Sequence, residues 1–209
     1  MKLYDHSVAP NTRRVRIFLA EKGIDVPTRP VDLKEREQHG EAFLDMNPFA
    51  TVPVLELDDG SHLCESVAIC RYFEGLHPEP PLMGTDAADT ANVEMWQRRV
   101  EINGMMAAGE AFRNSSPAFE GRGVAGTLQL AQIPELAERG RARLTRFYEM
   151  LDDALADRDF IAGDRYTIAD ITGLITVDFG GWTKLTPNPS LKNVNAWYER
   201  VSARPSAKA

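Results

Sequence analysis

The sequence predicts an α/β domain followed by an all-α domain, and three observations carry that prediction. Up to about residue 80, short apolar runs alternate with stripes of helical period. A segment dense in helix breakers follows, His77-Pro78-Glu79-Pro80-Pro81-Leu82-Met83-Gly84. Beyond it, every apolar pattern has the helical period. The expected boundaries are 1–80 for the first domain and 88–209 for the second.

Leu3-Tyr4 opens a strand, and Pro10-Asn11 ends it before a helix striped by Val15, Phe18 and Leu19. Gly23 is that helix's natural terminator. Residues 28–33 read as a second strand. A helical turn near Phe43-Leu44 leads to Pro53, and 54–57 and 61–63 form a hairpin across Asp58-Asp59-Gly60. Ile69, Tyr72, Phe73 and Leu76 stripe the next helix, which ends near His77-Pro78. The order is β-α-β-α-β-β-α.

In the second domain, Trp96, Val100, Asn103 and Ala107 are expected on one face of a long helix that fades near 114–117. A glycine-containing loop spans 120–127. Pro134 opens a helix whose buried row is Leu144, Phe147, Leu151 and Leu155. Thr167-x-x-Asp170 reads as a capping box with Tyr166 and Ile171 at the staple positions. Ile168, Ile171, Leu174 and Ile175 make this helix apolar enough to be the domain's centre. Leu191, Val194, Trp197 and Val201 stripe a last helix, stopped by Pro205.

Composition excludes several functions. The net charge of −7 disfavours nucleic acid and anionic membrane surfaces. No stretch approaches the roughly 20 apolar residues of a membrane span, and the first residues read as a strand rather than a signal peptide. Cys64 and Cys70 are too few for a disulfide framework and lack redox-pair spacing. They read as buried small apolar residues, and His62 as a hairpin surface residue. The scattered histidines suggest no metal, and no glycine-rich phosphate loop is present. The expectation is a cytoplasmic protein without metal, nucleic acid or membrane.

The most informative stretch is Thr51-Val52-Pro53-Val54-Leu55-Glu56-Leu57, with Glu65-Ser66 beyond the turn. Proline at a strand start has no N–H for the ladder, which suggests an outward-turned backbone and a cis Val52–Pro53 bond. Val52 is then expected to offer its N–H and C=O to an extended peptide. Glu65-Ser66 stands at a helix start, where backbone amides favour a carboxylate. Together they read as a site for a short peptide with a zwitterionic end. A simple helix cap accounts for Glu65-Ser66 alone but not for Val52-Pro53.

These residues resemble those of the glutathione transferase family. The resemblance extends over Lys2-Leu3-Tyr4-Asp5, Ala9-Pro10-Asn11-Thr12-Arg13-Arg14 and Phe43-Leu44-Asp45-Met46-Asn47-Pro48. It continues through Phe160-Ile161-Ala162-Gly163-Asp164 and Tyr166-Thr167-Ile168-Ala169-Asp170, in family order and over nearly the whole chain. It implies a thioredoxin-like first domain binding glutathione and a helical second domain contributing the pocket for the electrophile. Val52-Pro53 would hold the cysteinyl backbone and Glu65-Ser66 the γ-glutamyl end. Gln38 would meet the glycyl end, with Lys34, Arg36 and His39 as rivals. The resemblance also implies a homodimer that pairs one subunit's first domain with the other's helices.

The chemistry then at issue is thiol attack, with glutathione as co-substrate. A thiol of pKa about 8.5 is mostly protonated at neutral pH, and lowering it by two units takes roughly 2.7 kcal/mol. The loop between first strand and first helix offers His6, Ser7, Asn11 and Thr12 as donors. The Cys of the bacterial beta-type pattern is absent, and Tyr4 is poorly placed on its strand. The Pro10-Asn11 pair resembles a bacterial nu-type group with an asparagine at the sulfur, and a yeast-related group that uses a held water. Asn11 is the first candidate, with a helix N-cap as its ordinary role, and Ser7 the second. Met105, Met106, Phe112 and Trp182 are candidates for the electrophile pocket, expected between the domains, though helical apolar spacing equally marks core. Asn114 and Ser115 offer polar groups for a water, or merely a fraying helix end. The leading reading is conjugation of small apolar electrophiles, in the manner of detoxification. Glutathione-dependent reduction of disulfides or peroxides, and a non-catalytic glutathione-binding module, are the alternatives.

Overall fold

A computed structural model describes all of residues 1–209. The chain divides into two compact units. One comprises Met1–Pro80 with Ala125–Leu128 and Ala209, the other Pro81–Val124 with Gln129–Lys208.

The first unit is built on a four-stranded sheet of order β2-β1-β3-β4. Strand β1 (Lys2–Asp5) runs parallel to β2 (Thr28–Pro30) and antiparallel to β3 (Val54–Glu56), which pairs antiparallel with β4 (His62–Cys64). Alternation sends Tyr4 and Val54 to one face, where they meet Val31, Val52 and the Phe43 side chain. Leu3 and Leu55, both fully buried, fall on the opposite face. Helix α1 (Pro10–Lys22) and helix α3 (Ser66–Leu76) pack against each other, whereas α2 (Glu41–Leu44) contributes Phe43 to the first cluster. Gly23 ends α1 in the left-handed conformation, as expected. The second strand is shorter than expected because Asp32 Oδ1 accepts the N–H groups of Lys34 and Glu35, turning the chain away. The hairpin strands are likewise displaced by about a residue from their expected limits.

The second unit is entirely helical. Helix α4 (Ala87–Val100) passes through a π turn (Glu101–Met105) into α5 (Met106–Ser115). Helices α6 (Pro134–Ala154), α7 (Ile168–Gly181) and α8 (Lys192–Ser202) complete it. The expected long-helix face is corrected by the structure. The buried row is Val93, Gln97, Val100, Gly104, Ala107 and Ala111, and Asn103 is exposed. The row keeps steps of three and four straight through the π turn; what differs is its anchor, because Gln97, whose Oε1 accepts the Thr172 hydroxyl at 2.8 Å, takes the inward place expected for Trp96, and Gly104 that expected for Asn103. Helix α6 lies close on α5: a Cβ on Gly140 would stand 2.7 Å from the Ala107 carbonyl oxygen and from the Ala111 nitrogen.

Helix α7 is the centre, as its apolarity predicts, and its first turn is closed by the capping box. Asp170 accepts the N–H of Thr167 at 2.9 Å, the N–H of Ile161 at 2.8 Å and the indole N–H of Trp197 at 2.9 Å. The carboxylate thus ties α7, the 160–163 bend and α8 together. No helix is long and apolar enough to cross a membrane.

Candidate functional site

The loop between β1 and α1 is set by side chains of α1. Thr12 Oγ1 donates to the carbonyls of His6 and Ala9 at 2.6 and 2.8 Å. Arg16 grips both Asp5 oxygens at 2.7 and 2.9 Å and donates to the Ser7 carbonyl at 2.7 Å. Ser7 is left exposed on this braced loop. Asn11 does not cap α1: Ala9 is the N-cap and Pro10 the first helical residue, so Asn11 stands exposed on the first turn with its side chain free of capping. Proline displaces the cap by supplying the preorganised φ at N1. Tyr4 is committed elsewhere, donating to Glu56 at 2.8 Å, and that bond raises its pKa.

The approach to β3 is held by Asn47, which is buried. Its amide donates to the Thr51 carbonyl and hydroxyl at 2.9 and 3.0 Å, and its Oδ1 accepts the Phe49 N–H at 3.1 Å. Ala50 has φ 51°, and the Val52–Pro53 bond is cis. The paired register begins at Val54, so the Val52 backbone lies outside the ladder.

A single residue joins β4 to α3. Glu65 takes φ 69° and ψ 116°, a conformation that costs a non-glycine residue roughly 1–2 kcal/mol. Its side chain is exposed and makes no capping bond, so the first amides of α3 are not closed from within. Ser66 follows, buried, with Oγ 2.8 Å from the Arg14 guanidinium and 3.4 Å from Asn11 Oδ1. Sequence reasoning missed Arg14, which is 1% exposed. Its position four residues before Phe18, on the helix's apolar stripe, was the available signal.

Gln38 lies in a short turn, Glu37–His39, with its Oε1 buried and unpartnered. That turn is fixed by Glu37, which accepts the Asp32 N–H at 2.8 Å and pairs with Arg29; both lower its pKa, the backbone bond more. Burial pushes the Cys70 thiol up to about 12, and it raises that of half-buried Cys64. Neither cysteine is a ready nucleophile.

The remaining candidates belong to the helical unit. Phe112 sits among Phe119, Phe179 and Trp182 at centroid distances of 5.1, 5.4 and 5.3 Å. Trp182 is 49% exposed and Met106 59%, whereas Met105 is buried within the π turn. Asn114 is buried, donating to the Glu110 carbonyl at 2.9 Å and accepting the Ile133 N–H at 3.0 Å. Ser115 Oγ donates to the Ala111 carbonyl at 2.7 Å. Their polar groups join the end of α5 to the start of α6.

The family model of the glutathione S-transferase N-terminal domain matches residues 8–76, and that of the C-terminal domain matches 105–205. Glutathione S-transferase 2 of Saccharomyces cerevisiae is 32% identical over 210 residues, spanning 100% of this chain and 88% of the relative. The chain belongs to the glutathione S-transferase family. This transferase is similar in structure to a glutathione S-transferase domain-containing protein of Marinobacter aquaeolei VT8, with TM-score 0.92 and 36% identity over 99% of each chain. The similarity to the crystal structure of Gtt2 from Saccharomyces cerevisiae is also 0.92 by TM-score, with 32% identity over 100% of this chain and 99% of that one. The family's fold, an N-terminal four-stranded mixed sheet with helices and then an all-helical domain, is the one described above. The protein is an enzyme of this transferase family.

Proposed function

We propose that this transferase binds glutathione on its first unit and conjugates the thiol to small apolar electrophiles. The observation that carries the reading is the open start of α3, where Ser66 and Asn11 stand 3.4 Å apart beside an exposed Glu65. The helix amides and the Ser66 hydroxyl take the γ-glutamyl carboxylate, and Glu65 takes its ammonium. Val52, outside the ladder, pairs with the cysteinyl backbone before Pro53, and Gln38 offers its side chain to the glycyl end.

Asn11 is the proposed donor at the sulfur. Its Oδ1 faces Ser66, which leaves the amide N–H groups directed elsewhere to favour thiolate over thiol. Ser7, exposed on the neighbouring loop, is the second donor. Phe112, Met106 and Trp182 supply apolar surface for the electrophile. Met105 and Asn114 are buried, and Asn114 and exposed Ser115 are engaged with backbone groups of the helical unit. A homodimer through α3 and α4 belongs to the same proposal, supported by the exposed apolar side chains of Leu76 and Met95 on those helices. An interface of this kind buries well over about 1,200 Å². Cytoplasmic operation fits the two free cysteines.

Calorimetric titration with glutathione tests the site. Binding undetectable at millimolar ligand would remove the assignment. A conjugation assay run beside a disulfide-reduction assay separates transfer from glutathione-dependent reduction. Turnover of the disulfide alone would replace the proposed reaction.

A further inference from the structure

We infer that Arg14 is a positioning residue that fixes the Ser66 hydroxyl as a hydrogen-bond donor, making the start of α3 selective for a carboxylate. The inference rests on the proposed binding of the γ-glutamyl end at Glu65 and Ser66. A serine hydroxyl has one proton to donate and two lone pairs with which to accept, and it rotates to suit its partners. A guanidinium only donates. With Arg14 Nη1 2.8 Å away, Ser66 Oγ is the acceptor in that bond, and its own proton must point elsewhere. The partner it finds within the chain is Asn11 Oδ1 at 3.4 Å, far longer than the 2.7–2.8 Å usual for such bonds.

The resting hydroxyl is therefore aimed but poorly satisfied. A carboxylate arriving at the helix start offers a shorter, charge-assisted acceptor for the same proton. An ammonium at that point meets a neutral oxygen with one of its two lone pairs already taken by Arg14. The ammonium is thus directed to exposed Glu65. The two ends of the amino acid are sorted by a residue that touches neither.

The arrangement also couples recognition to chemistry. Once the carboxylate accepts the Ser66 hydrogen bond, Asn11 Oδ1 gives up that partner to the ligand. Arg14 thus acts on Asn11 through Ser66.

The test compares glutathione with the tripeptide carrying γ-aminobutyryl in place of γ-glutamyl, which lacks only the α-carboxylate. Both are titrated into the native protein and Arg14→Gln, with circular dichroism monitoring the fold. The native protein should prefer glutathione by about ten-fold or more. In Arg14→Gln the preference should shrink to within about three-fold, with affinity for the analogue nearly unchanged. An unchanged preference, with both peptides weakened alike, makes Arg14 merely structural and overturns the inference. Absence of preference in the native protein instead overturns the placement of the γ-glutamyl end. Should Arg14→Gln not fold, Arg14→Met, which retains the stem, is read in the same way. Ser66→Ala provides an independent check: its preference must fall to the level expected for the arginine variants. A full native preference in Ser66→Ala means the backbone amides alone select the carboxylate, and the inference fails.

Discussion

Helices α3 and α7 begin with the same chemical problem and solve it in opposite ways. Each exposes backbone N–H groups that no helical carbonyl can reach. At α7 the protein closes the end itself: Asp170, fully buried, accepts the Thr167 N–H, and the Thr167 side chain completes the box. At α3 the acidic residue is turned outward through a positive φ, and the hydroxyl residue is turned toward a buried arginine. The closed start is architecture. The open start is the proposed seat of the ligand's negative end.

The largest test of this contrast is Asp170→Ala. It strands donors from Ile161, Thr167 and Trp197, and should cost about 3 kcal/mol or more in urea unfolding, with glutathione affinity retained by the folded fraction. Burial also lifts the Asp170 carboxyl from 3.8 to about 6, so the folded protein holds this proton more tightly than the unfolded chain. The stabilisation linked to that proton is complete below the unfolded pKa and is lost as pH rises through the folded one. Native stability measured relative to Asp170→Asn should therefore decline between about pH 4 and pH 6. A flat difference would mean the carboxyl is ionised throughout.

Asn11→Ala should come next, with a loss of about 2–3 kcal/mol at most in transition-state stabilisation and a smaller loss in binding. The pH–rate profile should move upward, since the thiol would ionise less readily. Ser7→Ala should have the weaker effect; the reverse order would exchange their roles. Glu65→Ala and Ser66→Ala should each weaken glutathione binding by roughly 1.5–3 kcal/mol. Helical content should hardly change, although Ser66→Ala also costs some stability by stranding the Arg14 donor, and affinity unchanged from the native protein in both variants would place the peptide end elsewhere. The smallest expected effect is the most particular. Glu65→Gly relieves the positive φ and should stabilise the fold by up to about 1 kcal/mol while still weakening the ligand. Loss of stability would show that the Glu65 side chain serves structure after all.

Most of the fold was legible because it rests on local patterns. The Val15, Phe18, Leu19 stripe, Gly23, Thr167 with Asp170, and the apolar run of α7 each state their own structure. Glu65-Ser66 and Val52-Pro53 could be recognised as a pair, although their spatial relation to Asn11 depends on how α1 and α3 pack. Arg14 was passed over because an arginine on a helix ordinarily extends into water; its place on the apolar stripe hinted at burial, but its partner Ser66 lies 52 positions away. Asn103 was misplaced for a different reason: the row was anchored on apolar Trp96, whereas the buried residue is polar Gln97, held by the Thr172 hydroxyl from a helix 75 positions away. Asn114 read as available because its acceptor role toward Ile133 depends on a chain segment 19 positions away.

The close approach of α5 and α6 has one more consequence. Along the rod formed by α4 and α5, one unbroken row faces inward: Val93, Gln97 and Val100 where α4 packs on α7, then Gly104, Ala107 and Ala111 where α5 nests against α6. The second half of the seam is keyed by small residues alone. Exposed side chains on the other side of α5, Met106 among them, can therefore be exchanged without recutting it.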